Sequence, residues 1–227
     1  MDIVYILRNG IESEELRYSL RSLKNLPHDK VWFFGGEPDG LKPDRQVPYI
    51  QPGVSKWQKV SRTLEVVCRT KEVSDDFYLF NDDFFVMQPV EEIPPYYDKT
   101  LYRRIQKSIK LNNGNKSLYA IELERLRDLL NNEHRKTYNY AVHIPMPVNK
   151  KKALEVIGKY KRSPMFRSLY GNYWNIGGEQ IDDCKISDNS KPDPDAVFLS
   201  TTGRSFASFE VGQYIREKFP EKCEYEL

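Results

Sequence analysis

Several common protein classes are excluded by what the 227-residue sequence lacks. It has only three cysteines, Cys68, Cys184 and Cys223, an odd number, far apart and without a CxxC pair. That spacing suggests neither a disulfide framework nor a zinc site, so the three read as reduced packing residues. No apolar run approaches the roughly 18 residues that a membrane span needs, and no span is expected. The opening stretch MDIVYILRNG lacks the basic region and small-residue cleavage site of a secretory signal, and Arg8 breaks its apolar part. A cytoplasmic location is therefore expected. No long heptad pattern suggests a coiled-coil partner. Charge of one sign is missing too: 35 Lys+Arg against 33 Asp+Glu leave +2, too little for bulk charge to mark a nucleic-acid binder.

What is present points to one domain with a sizeable core, since 39% of the residues are apolar and 30% charged. Residues Asp2 to Leu7 read as a strand, and Glu14 to Asn25 repeats Leu16, Leu20 and Leu23 at helical spacing before Pro27 closes the helix. VWFFGG (31 to 36) is a short buried-strand run, followed by a Pro- and Gly-rich loop from Glu37 to Gly53. A second helix is predicted from Ser55 to Val73 with Val60, Leu64 and Val67 on one face, then a third strand, FYLF, at 77 to 80. Strands alternating with helices imply an α/β fold with a mainly parallel sheet. Two basic stretches, 99 to 110 and 149 to 162, are either solvated surface or the lining of a site for anionic ligands.

The stretch DDFYLFNDDFFVMQPV (75 to 90) sets charge directly after the third strand. In open α/β sheets ligands bind beyond the carboxyl ends of the strands, so Asn81, Asp82 and Asp83 fall at the edge of a pocket. Carboxylates there are hard oxygen ligands suited to magnesium or manganese; the residues alone leave equally open a turn or a helix cap.

The surrounding segments narrow this. EELRYSLRSL from Glu14 and FYLFNDDFFVMQPV from Phe77 resemble the signature segments of the Stealth family, which includes capsular-polysaccharide phosphotransferases and the lysosomal-enzyme N-acetylglucosamine-1-phosphotransferase. VHIPMPVNKKKALEVI with RSPMFRSLYGN (162 to 172) is similar to its third region. SFEVGQYIREKFPEKCEYE (208 to 226) is similar to its closing one, and IVYILRNG to its first. The regions occur in order over about half the chain.

The resemblance implies a GT-A-like nucleotide-sugar transferase fold in a single domain, with a nucleotide-sugar half at about 1–98 and an acceptor half at about 99–227. It also implies a uridine diphosphate sugar or similar donor and a divalent ion, Mg2+ or Mn2+. Asp82 and Asp83 become the metal and catalytic carboxylates, with Asn81 as a polar neighbour. Arg17 and Arg21, four apart on one helical face, suit the donor's diphosphate, and the Asn9-Gly10 turn suits the nucleotide. His143, in the His-x-Pro match, is assigned as general base toward the acceptor hydroxyl or as a metal-proximal ligand. Arg167 matches a family arginine suited to bidentate phosphate binding. Tyr170, Tyr173 and Trp174 are either a platform for a sugar ring or core, and Glu65 looks like a family glutamate.

Departures from the family pattern touch the chemistry. Arg8 stands where Trp-Val is more usual, and Thr202-Gly203 where an Asn-Asp pair is common. Three readings stay open: sugar-1-phosphate transfer to a glycan acceptor; transfer of the sugar alone to a polysaccharide, a protein or a modified nucleic-acid base; and a non-catalytic sugar- or nucleotide-binding module.

Overall fold

The computed structural model describes residues 1–10, 13–53, 55–161 and 165–227. Strand β1 (Asp2–Leu7) leads to helix α1 (Glu14–Ser22), then β2 (Val31–Gly35), β3 (Arg45–Pro48) and α2 (Lys56–Arg69). Next come β4 (Asp76–Phe80), β5 (Phe84–Val86), β6 (Tyr96–Thr100) and a helical hairpin, α3 (Leu101–Leu111) with α4 (Leu118–Asn132). Then follow β7 (Tyr138–Asn139), β8 (Met146–Asn149), α5 (Lys150–Lys159) and α6 (Phe166–Tyr173). The chain closes through β9 (Glu179–Gln180), β10 (Lys185–Ile186), β11 (Phe198–Thr201), α7 (Gly203–Ser208) and α8 (Glu210–Lys218).

The main sheet has the order β3-β2-β1-β4-β8; β8 runs antiparallel to β4 and the other pairs are parallel. Two smaller sheets, β10-β11-β5 and β7-β6-β9, each combine a parallel and an antiparallel pair. The fold is thus mixed α/β, with a mostly parallel main sheet flanked by helices. Residues after 98 supply β8 to the sheet that β1 to β4 begin, so the two halves of the chain interleave.

Side-chain alternation explains the double cover. Val4, Trp32, Phe34, Phe77 and Leu79 join Leu64 and Val67 of α2 in one core. Their neighbours Ile3, Tyr5, Phe33, Tyr78 and Phe80 face Leu16 and Leu20 of α1 in another. Strands buried on both faces read as unbroken apolar runs, which is why β1, β2 and β4 are visible in the sequence. Each such buried side chain contributes about 1.5–3 kcal/mol, so this packing holds the strand ends on which the polar rim is built.

Four local differences from the sequence reading have tertiary or steric causes. The first helix tightens into a 3-10 turn at Leu23–Asn25, because Leu26 is extended (φ −135) ahead of Pro27. The second helix stops at Arg69 rather than Val73: the buried Lys150 ammonium donates to the carbonyls of Thr70, Lys71 and Val73 and covers the helix end. Lys150, in the basic stretch 149–162, therefore anchors the turn that follows α2. Val60 is 37% exposed while Thr63 is fully buried, so the apolar face of α2 is rotated from the expected one. Edge strand β3, inside the predicted 37–53 loop, shows no apolar alternation and exists by pairing with β2.

Glycine is required where β2 ends. A Cβ on Gly36 would stand 2.1 Å from the Arg8 carbonyl oxygen, and one on Gly35 (φ +106) 2.3 Å from the Leu7 carbonyl oxygen. Because backbone must move to admit a methyl group, Gly36→Ala is expected to cost roughly 2–3 kcal/mol in denaturant unfolding. An unchanged midpoint would refute the close approach.

Candidate active site

The carboxyl ends of β1, β2 and β3 surround an open cleft of about 390 Å³, lined by Asn9, Gly10, Gly35, Gly36, Glu37 and Tyr49 among others. Asn9 Nδ2 donates to the Tyr49 carbonyl (3.1 Å), and Gln51 Nε2 donates to the Leu7 carbonyl (2.8 Å), tying the strand ends together. Of the residues expected to meet the nucleotide, Asn9 and Gly10 lie in this cleft. Arg17 and Arg21 lie elsewhere. They share one face of α1 as their spacing requires, but that face meets the C-terminal segment. There Glu226, its side chain fully buried, accepts from Arg17 Nη1 (2.8 Å) and Arg21 Nε (2.6 Å). Arg21 also donates to the carbonyls of Phe219 and Pro220, both at 2.9 Å. Its guanidinium therefore works as a tie between chain segments rather than as a free anion clamp.

The acidic turn follows β4 on the same edge. Asn81 is exposed, and Asp82 and Asp83 are half-buried. Asp83 Oδ2 pairs with Lys185 Nζ at 2.6 Å, while Asp83 Oδ1 is buried with no hydrogen-bond partner. Burial, and then the charge of Asp83, raise the Asp82 pKa. A third carboxyl joins them from the first turn of α1. Burial, with the charges of Asp83 and Asp82, pushes Glu15 up to about 7, against the hydrogen bond that Thr201 Oγ1 donates to it at 2.5 Å. Burial and mutual repulsion thus outweigh the nearby Lys185 ammonium at Glu15 and Asp82.

This donor set fits a hard divalent ion: the oxygens are carboxylates, and one of them, Asp83 Oδ1, is buried and unpaired. No group of three or more His, Cys, Asp or Glu residues among those described is arranged to hold a metal. Magnesium is typically held by one or two carboxylates plus substrate phosphates, so two protein oxygens are enough for the fit.

His143 stands at the rim in a left-handed backbone conformation (φ 53). Such a conformation is uncommon for a non-glycine residue and persists only where the surroundings enforce it. The stretch expected to be strand-like up to His143 is strand only at Tyr138–Asn139, which frees the chain to turn. His143 Nδ1 lies 2.6 Å from Asp183 Oδ1, and Asp183 Oδ2 pairs with Arg104 at 2.9 Å. Burial opposes ionisation of Asp183, but His143 and Arg104 outweigh it and hold its carboxyl below the ordinary range. An ionised carboxylate only accepts, so Nδ1 of His143 is the donor in this pair.

Arg167, on α6, bridges this region. It donates to the carbonyls of Ile144 (3.1 Å) and Leu79 (3.0 Å) and to Asn81 Oδ1 (3.3 Å), and it lies over the Phe84 ring, which packs T-shaped against His143. Burial lowers its pKa to about 10 in spite of Asp83. Its fork is thus partly occupied by backbone, and it ties the acidic turn to the histidine loop.

The structure therefore gathers Asp82, Asp83, His143 and Arg167 along one rim, beside Asn9 and Gly10 in the cleft. The remaining candidates sit apart. The Tyr170 hydroxyl accepts from the Asn149 amide and its ring is buried; Arg135 lies over Tyr173 at 4.1 Å and Lys152 over Trp174 at 5.5 Å, so cations cover these rings. Glu65 pairs with Arg69 on the outer side of α2. Arg162, Ser163 and Pro164, which open the RSPMFRSLYGN part of the third family-like region, lie outside the described residues. Glu15, Arg104, Asp183, Lys185 and Gly35 were not singled out from the sequence. The one available signal was a second Asp-Asp pair, Asp182-Asp183, in GGEQIDDCK. In comparisons with known proteins the chain matches no family model and no curated protein.

Proposed function

We propose that the protein is a metal-dependent nucleotide-sugar transferase of the Stealth type on a GT-A-like fold, moving a sugar-1-phosphate from a UDP-sugar-like donor to a hydroxyl of a glycan acceptor. The observation that carries this reading is a single polar rim. It combines two strand-end carboxylates, a carboxylate-oriented histidine and a half-buried arginine, next to an open cleft lined by paired glycines. The resemblance of the segments from Glu14 and Phe77 to the family's signatures supports the donor class.

In this reading the cleft takes the nucleotide, where the backbone of Gly35 and Gly36 admits close approach. Asp82 and Asp83 would hold Mg2+ or Mn2+, and the bound ion supplies charge neutralisation at the donor's diphosphate. Lys185 and Arg167 add fixed positive charge beside the transferring phosphoryl group. His143 Nε2 accepts the proton of the acceptor hydroxyl as that oxygen attacks the sugar-bearing phosphorus, and the bridging P–O bond breaks with its electrons leaving on the nucleoside monophosphate. Asp183, which also pairs with Arg104, holds the tautomer and stabilises the imidazolium that forms.

The test is to incubate the protein with manganese, an oligosaccharide panel and a panel of nucleotide sugars, and to identify the released nucleotide. Nucleoside monophosphate is the expected product. Nucleoside diphosphate would establish transfer of the sugar alone, and no release from any pair would refute the enzymatic reading.

A further inference from the structure

The first basic stretch, 99 to 110, has a use that the rim does not absorb. From residue 99 to residue 121 the sequence contains six cations, Lys99, Arg103, Arg104, Lys107, Lys110 and Lys116, and no acidic residue. Three of them are already engaged: Lys99 pairs with Asp182 at 3.3 Å, Arg104 turns inward to Asp183, and Lys116 pairs with Glu124 at 2.8 Å. Arg103, Lys107 and Lys110 lie exposed on the outer face of α3 and form no ion pair among the described residues. Spaced three and four apart, they make one stripe along the helix.

Apolar side chains border this stripe. Tyr102 is 53% exposed, and at the tip of the α3–α4 hairpin Leu111 is 76% and Leu118 58% exposed. Immediately behind the tip, Tyr119 stacks on Trp57 of α2, ring centroids 6.2 Å apart. Single exposed leucines are ordinary, but two at one turn, next to an unopposed row of cations and an aromatic pair, form a patch of defined chemistry. Aromatic rings with one wet edge and leucines below a basic stripe suit the boundary between lipid headgroups and acyl chains.

We infer that the α3–α4 hairpin docks on an anionic phospholipid surface, with Leu111 and Leu118 entering the headgroup boundary and Arg103, Lys107 and Lys110 meeting lipid phosphates. The charge complementarity alone would equally suit a nucleic-acid backbone. The leucines favour lipid, because a phosphate backbone offers nothing to bury them. No helix among the described residues is long and apolar enough to cross a membrane, so the contact is peripheral. The inference stands apart from the transferase reading. The inner side of α3 carries Arg104, so one helix would join the His143–Asp183 pair to the lipid-facing surface.

The experiment is flotation of the full chain with phosphatidylcholine vesicles and with vesicles containing phosphatidylserine, alongside a duplex DNA and a single-stranded RNA oligonucleotide. Binding to the anionic vesicles alone is expected, weakening as salt rises. Lys107→Ala with Lys110→Ala should weaken it roughly fivefold for each cation removed, and Leu111→Ser with Leu118→Ser should weaken it further at every salt concentration. These side chains are exposed, and unchanged circular dichroism melting of both variants confirms that folding is not the cause. The inference is overturned if anionic vesicles bind no better than neutral ones, or if the leucine variant binds them as the parent does. Tighter binding to either oligonucleotide than to vesicles would likewise overturn it, in favour of a nucleic-acid partner.

Discussion

Asp83→Ala is expected to lower turnover by roughly a thousandfold or more with the fold intact, since several kcal/mol of charge stabilisation at a transferring phosphoryl group depends on the ion that this carboxylate would hold. The fold should survive for a reason visible at the site. Asp83 Oδ1 is buried without a partner, and Lys185, whose side chain is 23% exposed, reaches solvent once its partner is gone. Removing a carboxylate from a crowded acidic place relieves repulsion with Asp82 and Glu15. The melting temperature is therefore expected to hold or rise, as is common when a functional residue is traded for stability. Turnover equal to the parent's, measured on the donor identified by nucleotide release, would remove the acidic turn from the mechanism.

Glu226→Ala is expected to produce the largest loss of stability, about 3–5 kcal/mol, because it strands the Arg21 guanidinium in a nearly closed environment. The pH dependence carries the same information. Burial opposes ionisation of Glu226, but Arg21 and Arg17 more than offset it and lower its pKa from the ordinary 4.5 to about 2. A carboxyl depressed in the folded state stabilises fully above its unfolded value and loses that contribution as pH falls toward the folded one. The parent should thus lose about 3 kcal/mol between pH 4.5 and 2 from this group. The variant should lack that part of the acid sensitivity. Urea midpoints measured at several pH values across this window test it, and parallel curves for parent and variant would show that the clamp contributes nothing.

The elements buried on both faces were legible from residue pattern, since β1, β2, β4 and α1 carry apolar runs or spacings that few other structures satisfy. Edge strand β3 was not, because its Arg-Gln-Val-Pro sequence has no face to bury and takes its shape from the backbone of β2. The site divides in the same way. The Asp82-Asp83 turn was found because it follows a strand whose end could be counted. Asp183, 40 residues from His143, belongs to an irregular segment between two-residue strands, where periodicity says nothing about direction.

Local sequence was sufficient for the order of strands and helices in the first part of the chain and for the carboxyl edge at which polar residues cluster, because strand and helix periods are properties of neighbouring residues. The partners of the charged groups depended on packing. Arg17 and Arg21 had the right spacing for an anion, yet α1 lies with that face toward the C-terminal segment, where the buried carboxylate of Glu226 claims both. Charges choose partners by distance and desolvation in three dimensions, and neither quantity is written in the spacing of residues along a chain.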